Sequence, residues 1–275
     1  MPFQCELNLD CLLSVGSFQL FMNTIRYYPL AGLAFLLIYF WRKDYFQKFR
    51  IQSKDPVRSK IVFEIRQSAV TLFVFSLIGF SVFVLSRVGI LKRNLYGDPD
   101  MYGGIPYLIF SFVLVTIWHE TWFYWAHRIM HHRKIYSWVH LTHHKSVNPS
   151  PLAAYNFSFT EAIFEALYLP IFVQIVPMYF PLLIFHTFYA MILNIYFHSG
   201  IELYPKGFTD HPVFKWINTS THHNLHHQKF NGNYSLYFNF WDRIMGTNFP
   251  YYEESFEEVV RKKESFVLNK NTIIQ

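Results

Sequence analysis

The chain is short of cysteine, with two in 275 residues, and short of charge, with Asp, Glu, Lys and Arg making up 15%. Two cysteines make no disulfide framework. Cys5 and Cys11 could pair if their end faces an oxidising compartment, but they lie far in sequence from every histidine, so no role follows for them. A soluble domain carries about 25% charged residues; here long apolar stretches make up the difference. The start, Met1-Pro-Phe-Gln-Cys-Glu6, lacks the basic segment of a secretory signal peptide. The formal charge of +6 is not spread as a nucleic-acid footprint. It concentrates in one loop beside an apolar run, so no nucleic-acid partner is expected. Histidine is absent before residue 119. No repeat or low-complexity tract appears, and residues 1–275 read as one domain. Within it, 1–104 hold N-terminal spans and a basic loop, 105–250 a histidine-rich core, and 251–275 a solvated tail.

A membrane span needs about 20 mainly apolar residues. Hydropathy places one at about 24–41 and a second at about 68–91. The loop between them, 42–66, carries eight Lys and Arg against Asp44, Asp55 and Glu64, which marks the cytoplasmic side. A third span at about 105–118 returns the chain there and leads into a cap. Residues 162–197 are apolar again but interrupted by Pro170, Pro177 and Pro181; they read as a helical hairpin turning near Pro177–Pro181. The expected fold is therefore an all-α integral membrane protein. It has about four membrane-embedded helices and a cytosolic, histidine-rich helical cap.

What is abundant is histidine after residue 118, in the patterns His127-x-x-x-His131-His132, His140-x-x-His143-His144 and His222-His223-x-x-His226-His227, with His198 alone. On a helix, residues four apart lie about 40° apart and residues three apart about 60° the other way. His127 and His131 thus share a face, and each H-x-x-H-H fans three rings over about 100°. A shuffled chain would contain H-x-x-H-H only about 0.04 times. Imidazole suits Fe, Zn, Cu and Ni. His127, His131, His140, His143, His144, His198, His223, His226 and His227 make nine rings, enough for two ions with four or five each. His222 lies four before His226 and is a candidate tenth ligand; His132 points away. His119 reads as a hydrogen-bonded lining residue, His186 as a satisfied neutral ring and His211 as a loop residue. Glu120, Glu161, Glu165, Asn194 and Asp242 are candidate acceptors for the ligands' second N–H, with Asp242 the first choice.

The segments Trp122-Phe-Tyr-Trp-Ala-His-Arg-Ile-Met-His131, His140-Leu-Thr-His-His144, His222-His-Asn-Leu-His-His227, Asn233-Tyr234 and Trp241-Asp-Arg-Ile-Met-Gly-Thr247 together resemble the fatty acid hydroxylase/sterol desaturase superfamily. The likeness covers roughly 105–250. Lys145-Ser-Val-Asn-Pro-Ser-Pro-Leu-Ala-Ala-Tyr155 with Glu161-Ala162 looks most like its sterol C-5 desaturase branch. In the fatty acid 2-hydroxylase branch a second histidine lies four residues before the one matching His198. Asn194 stands there in this chain, which argues against that branch.

The resemblance implies a non-haem di-iron enzyme that uses O2 and external electrons to oxidise a C–H bond of a lipid. Its metals would sit in a cytosolic cap, and substrate would enter through an apolar channel between helices. The nine histidines, with His222, match the family's ligand motifs; zinc can replace iron in a purified sample. No flavin, haem or iron–sulfur motif is visible, so a carrier such as cytochrome b5 or ferredoxin, with its reductase, is expected as electron donor. A multi-pass protein of the endoplasmic reticulum or, in a bacterium, the inner membrane follows. Sterol C-5 desaturation heads the expected reactions, with hydroxylation of a fatty-acyl, alkyl-lipid, methyl-sterol or carotenoid substrate as the alternative. Two rivals come from other classes. A metal transporter would bury ionisable groups within its spans, and a bis-His haem electron carrier would pair histidines inside apolar helices.

Overall fold

The structure, a computed structural model, describes residues 5–92 and 94–273, with side chains of the last helix followed to Lys263. Helix α1 spans Leu9–Leu36 and runs on through a wider turn, Leu37–Trp41, into the short α2 at Lys43–Phe46. Helix α3 spans Arg58–Arg87, and α4 spans Ile105–Met130. The short α5, Tyr136–Val139, and α6, Leu141–His144, precede α7 at Phe159–Ile175. Helix α8 covers Phe180–Phe197, α9 Ser220–Lys229, α10 Phe240–Ile244 and α11 Tyr252–Ile273. Two-residue strands, β1 at Leu95–Tyr96 and β2 at Met178–Tyr179, pair in parallel.

Among the described residues, three helices are long and apolar enough to cross a membrane: Leu9–Trp41, Arg58–Arg87 and Phe180–Phe197. Their outward faces are apolar, as lipid requires; Leu13, Phe21, Leu33, Phe73, Leu77, Phe185 and Ile192 are all exposed. Ile105, Ile109, Val113 and Ile117 give α4 a similar outer stripe at helical spacing. The protein is an all-α integral membrane protein, as its hydropathy indicates.

Helix boundaries depart from the hydropathy. The first begins at Leu9 rather than near Thr24, because the Asn8 side chain accepts from the Cys11 N–H and caps it. The second begins at Arg58 rather than Ser68, and α4 continues past Trp118 to Met130. Charge ends an apolar run, but it does not end a helix. The Cys5–Cys11 pair, left without a role by the sequence, forms a disulfide. The hairpin turns where the prolines indicate: α7 stops at Ile175, and Pro181 sits in the first turn of α8, where its missing N–H costs nothing.

Inside the bundle, one face of α3 breaks an otherwise apolar core. Glu64, Gln67, Ser68 and Thr71 lie at i, i+3, i+4 and i+7 on α3 and form one inward polar stripe. The stripe binds the segment 146–157, whose one short 3-10 helix, Pro151–Tyr155, leaves several carbonyls to be satisfied from outside. Gln67 donates to the Phe157 carbonyl at 2.7 Å, Ser68 to Leu152 at 3.2 Å and Thr71 to Tyr155 at 2.7 Å. Buried Glu64 accepts from Ser146 Oγ at 2.8 Å and Ser150 Oγ at 2.5 Å. This anchors the chain immediately after His143-His144. The basic loop joins the same end: Ile51 N–H donates to Gly200 O, and Glu202 N–H to Phe49 O.

Glu64→Ala should remove two buried hydrogen bonds, leave their serine partners unsatisfied and lower stability by about 2–4 kcal/mol. Thermal unfolding in detergent micelles reads this as a lowered Tm, and an unchanged Tm would contradict the anchoring role.

Candidate metal centre

Four separate pieces of chain deliver the histidines to one end of the bundle. The last turn of α4 brings His127 and, at its C-cap, His131. His140 caps α6, which carries His143 and His144. His198 closes α8, and α9 presents His223, His226 and His227. Thr219 caps α9 by accepting from the His222 N–H at 3.1 Å, which fixes where that fan begins.

The nine rings separate into two groups. His127, His131, His140, His144 and His226 form one; His143, His198, His223 and His227 form the other. Within each, the potential ligand nitrogens lie within 4.8 Å of one another. All nine are buried except His131, which is partly exposed. Burial and the neighbouring imidazoles hold His143, His144, His223, His226 and His227 well below the ordinary imidazole pKa. These rings are therefore neutral, with a lone pair available for a metal.

The hydrogen bonds decide which nitrogen that is. The Nδ1–H of His127 donates to the Tyr234 carbonyl at 2.8 Å, and that of His226 to the Gly232 carbonyl at 2.7 Å. Likewise His198 donates to the Asn194 carbonyl at 2.8 Å and His140 to Glu161 Oε1 at 2.7 Å. A neutral imidazole has one proton. With Glu161 as an ionised acceptor, the Nε2 atoms of His127 and His140 are both bare, yet stand 2.9 Å apart. Two lone pairs at that distance repel, and a cation between them removes the conflict. Nε2 separations elsewhere are 3.0–3.3 Å, as in His226–His144, His223–His198 and His143–His198. Ligands about 2.1 Å from one ion would be about 3.0–3.4 Å apart. The donor set fits two metal ions.

The tenth candidate does not join either group. His222 sits 40° beyond His226 on the outer edge of the fan (about, by helix geometry), facing the Tyr252 ring, with its Nε2 3.6 Å from Asp242 Oδ2. His132 is exposed, and His211 lies in a loop accepting from Val213 N–H at 3.2 Å. His119 donates to or accepts from Tyr237 OH at 2.8 Å and stacks on Tyr168. His186, expected as a satisfied ring, is buried with neither nitrogen partnered.

The supporting acceptors also sort by distance. Glu161 reaches a ring directly; it also closes a capping box with Ser158 at the start of α7. Asn194 serves through its backbone carbonyl, while its side chain donates to Ala154 O at 2.7 Å. Asp242 works one step removed, accepting from the Tyr234 and Ser235 N–H groups at 2.9 Å and from Thr247 Oγ1 at 2.7 Å. It thereby fixes the peptide whose carbonyl holds His127. Glu120 likewise receives the N–H groups of Leu236, Tyr237 and Phe238. Glu165 touches no histidine ligand. The Gly232 and Tyr234 carbonyls escape a reading of side chains; the Asn231-Gly232-Asn233 turn, with positive φ at Gly232 and Asn233, was their only signal.

Beneath the centre lies a mainly apolar cavity of about 600 Å³ between α1, α3, α7 and α8. Phe123 and Phe157 close its upper end, and their rings lie 5.1 Å from His127 and 5.3 Å from His143. On α3 the lining runs from Phe75 to Ser86, about 17 Å along the helix.

Residues 112–247 match the family model for fatty acid hydroxylase. Among curated relatives, a Delta(7)-sterol 5(6)-desaturase of Gibberella zeae is 29% identical over 79% of this chain and 63% of its own length. Lathosterol oxidase of Rattus norvegicus is 31% identical over 70% of this chain and 62% of its own. The human lathosterol oxidase gives 31%, 70% and 62%. The chain thus spans about six-tenths of the length of these relatives. No solved structure matches.

Metal analysis of the purified protein tests the grouping. His143→Ala should lower bound metal from about two ions per chain to about one, whereas His222→Ala should retain both. Loss of metal in the second variant would return His222 to the ligand set.

Proposed function

We propose, from a chain whose residues 112–247 belong to the fatty acid hydroxylase family, that it is a membrane-bound oxidoreductase that desaturates a sterol with two iron ions, O2 and external electrons. One observation carries the reading: nine neutral imidazoles in two groups stand behind Phe123 and Phe157 at the end of an apolar, lipid-sized cavity. The names of the relatives, Delta(7)-sterol 5(6)-desaturase and lathosterol oxidase, supply the substrate class and the bond.

Bound iron would supply the O2 activation and one-electron chemistry that amino-acid side chains lack. The chain's own contribution is placement. Glu161 and the Tyr234, Asn194 and Gly232 carbonyls keep four rings from turning. The cavity walls hold a rigid lipid with one C–H pair toward the centre and keep water out. Removal of hydrogen from two adjacent carbons gives the alkene.

Electrons would arrive from a carrier such as cytochrome b5 or ferredoxin with its reductase. Basic loop residues Lys43 and Arg50 are occupied with Asp55. Exposed Arg133 and Lys134, next to the partly exposed His131, offer a nearer site for an acidic carrier. The basic loop lies at the same end, so that end would face the cytosol, at the endoplasmic reticulum of a eukaryote or the inner membrane of a bacterium.

Purified protein should hold about two irons per chain without a haem absorption band. Reconstituted with a reductase and carrier under O2, it should convert lathosterol to a product lacking two hydrogens, seen by mass spectrometry, and His143→Ala should abolish this. A haem band, or metal flux across vesicles without sterol turnover, would overturn the reading.

A further inference from the structure

Glu165 is a buried carboxyl in the cavity wall that the metal centre does not use. It lies on α7 one turn beyond Glu161, on nearly the same face and about 6 Å further along the axis. Glu161 turns to His140, while Glu165 lines the cavity and is 7% exposed. Among the described residues no group hydrogen-bonds its carboxyl, and only burial acts on it. A carboxyl left so deep without a partner costs several kcal/mol unless a ligand supplies one.

The opposite wall narrows the ligand. Arg26, midway along α1, also lines the cavity. Its guanidinium donates to Asn23 Oδ1 at 2.5 Å and Thr187 Oγ1 at 3.0 Å, and it has no carboxylate within ion-pair distance among the described residues. Arg26, Tyr155 and Glu165 all line this one cavity. The buried Glu165 carboxyl takes a neutral partner at less desolvation cost than a charged one, and a cationic head group would also be repelled by Arg26. A neutral hydroxyl can donate to the first and accept from the second.

Resting on the sterol reading above, we propose that Glu165, with Arg26 facing the same cavity, anchors a hydroxyl of the lipid substrate and so selects hydroxylated lipids over their ethers and hydrocarbons. The anchor stands one helical turn from the carboxylate that supports His140, so the oxidised carbon lies a few bonds from that hydroxyl rather than at the far end of the molecule. Glu165 is a specificity-determining residue here, with no part in ligating metal.

Equilibrium binding to the full-length, iron-loaded protein in detergent tests this, with two probe pairs: lathosterol and its methyl ether, and octadecanol and its methyl ether. Wild type should bind the alcohol of at least one pair about 10- to 100-fold more tightly than its ether. Glu165→Leu should lose that preference, bringing the ratio near one, while its iron content matches wild type and shows that the centre has folded. Glu165→Gln, whose amide oxygen still accepts, should recover part of it. The proposal is overturned if wild type discriminates in neither pair, or if Glu165→Leu keeps the wild-type ratio. Loss of iron in Glu165→Leu would equally overturn it, by making Glu165 part of the metal scaffold. Turnover of lathosterol is scored separately: discrimination without turnover sinks sterol desaturation and leaves the anchor standing.

Discussion

Everything at the histidine end of this bundle depends on keeping bare imidazole nitrogens face to face. His127 and His140 hold their protons on Nδ1, against a backbone carbonyl and Glu161, and so turn two lone pairs toward each other at 2.9 Å. Without a cation such an arrangement is repulsive, and nothing in the rings themselves would maintain it. The cost falls on the surrounding backbone. Asp242 holds the Tyr234 peptide, Glu120 holds the three peptides that follow, and the Asn231–Asn233 turn offers the Gly232 carbonyl. Carboxylates in this protein serve mostly to fix backbone, and backbone carbonyls fix the histidines.

That division explains why an otherwise apolar bundle interior carries one polar stripe. In lipid an outward Leu or Phe costs nothing, but an irregular backbone segment at the centre's edge must find donors and acceptors within the protein. The stripe Glu64, Gln67, Ser68 and Thr71 supplies them to residues 146–157. One membrane helix thereby sets both the position of His143 and His144 and the position of Phe157, which closes the cavity below them. Site and cavity are built from the same contacts, so neither can shift independently.

Much of this was legible before any coordinates. Three-and-four spacing is local, so the helix fans of His140–His144 and His223–His227 could be read directly, as could the long apolar runs and the proline-marked hairpin. The five-and-four division could not, because it joins His127 to His140 and His226, and His143 to His198, across elements that meet only in the folded chain. His222 shares the spacing of a ligand and differs only in having Asp242 and Tyr252 beside it. Helix starts at Leu9 and Arg58 were invisible to hydropathy, which registers charge and not capping. The capping box Ser158-x-x-Glu161 is itself a local pattern, and it places Glu161 at the head of α7 and hence near His140. Backbone acceptors such as Tyr234 O carry no side-chain signature at all.

Glu161 and Glu165 show how little sequence separates two roles. Both are buried carboxyls on one face of one helix, a single turn apart. The first accepts a hydrogen bond from His140 at 2.7 Å; the second lines the cavity and, among the described residues, bonds no histidine. A shift of one turn in α7 would exchange them, and the Ser158 cap prevents that shift by fixing where the helix begins. A local rule about helix termini therefore sets the depth of the cavity's carboxyl relative to the metal ligands. On the functional reading, that depth is the distance from a substrate's polar anchor to the carbon that reacts. Selectivity for position would then be a property of helix register, with the cavity walls needing only to be apolar and close-fitting.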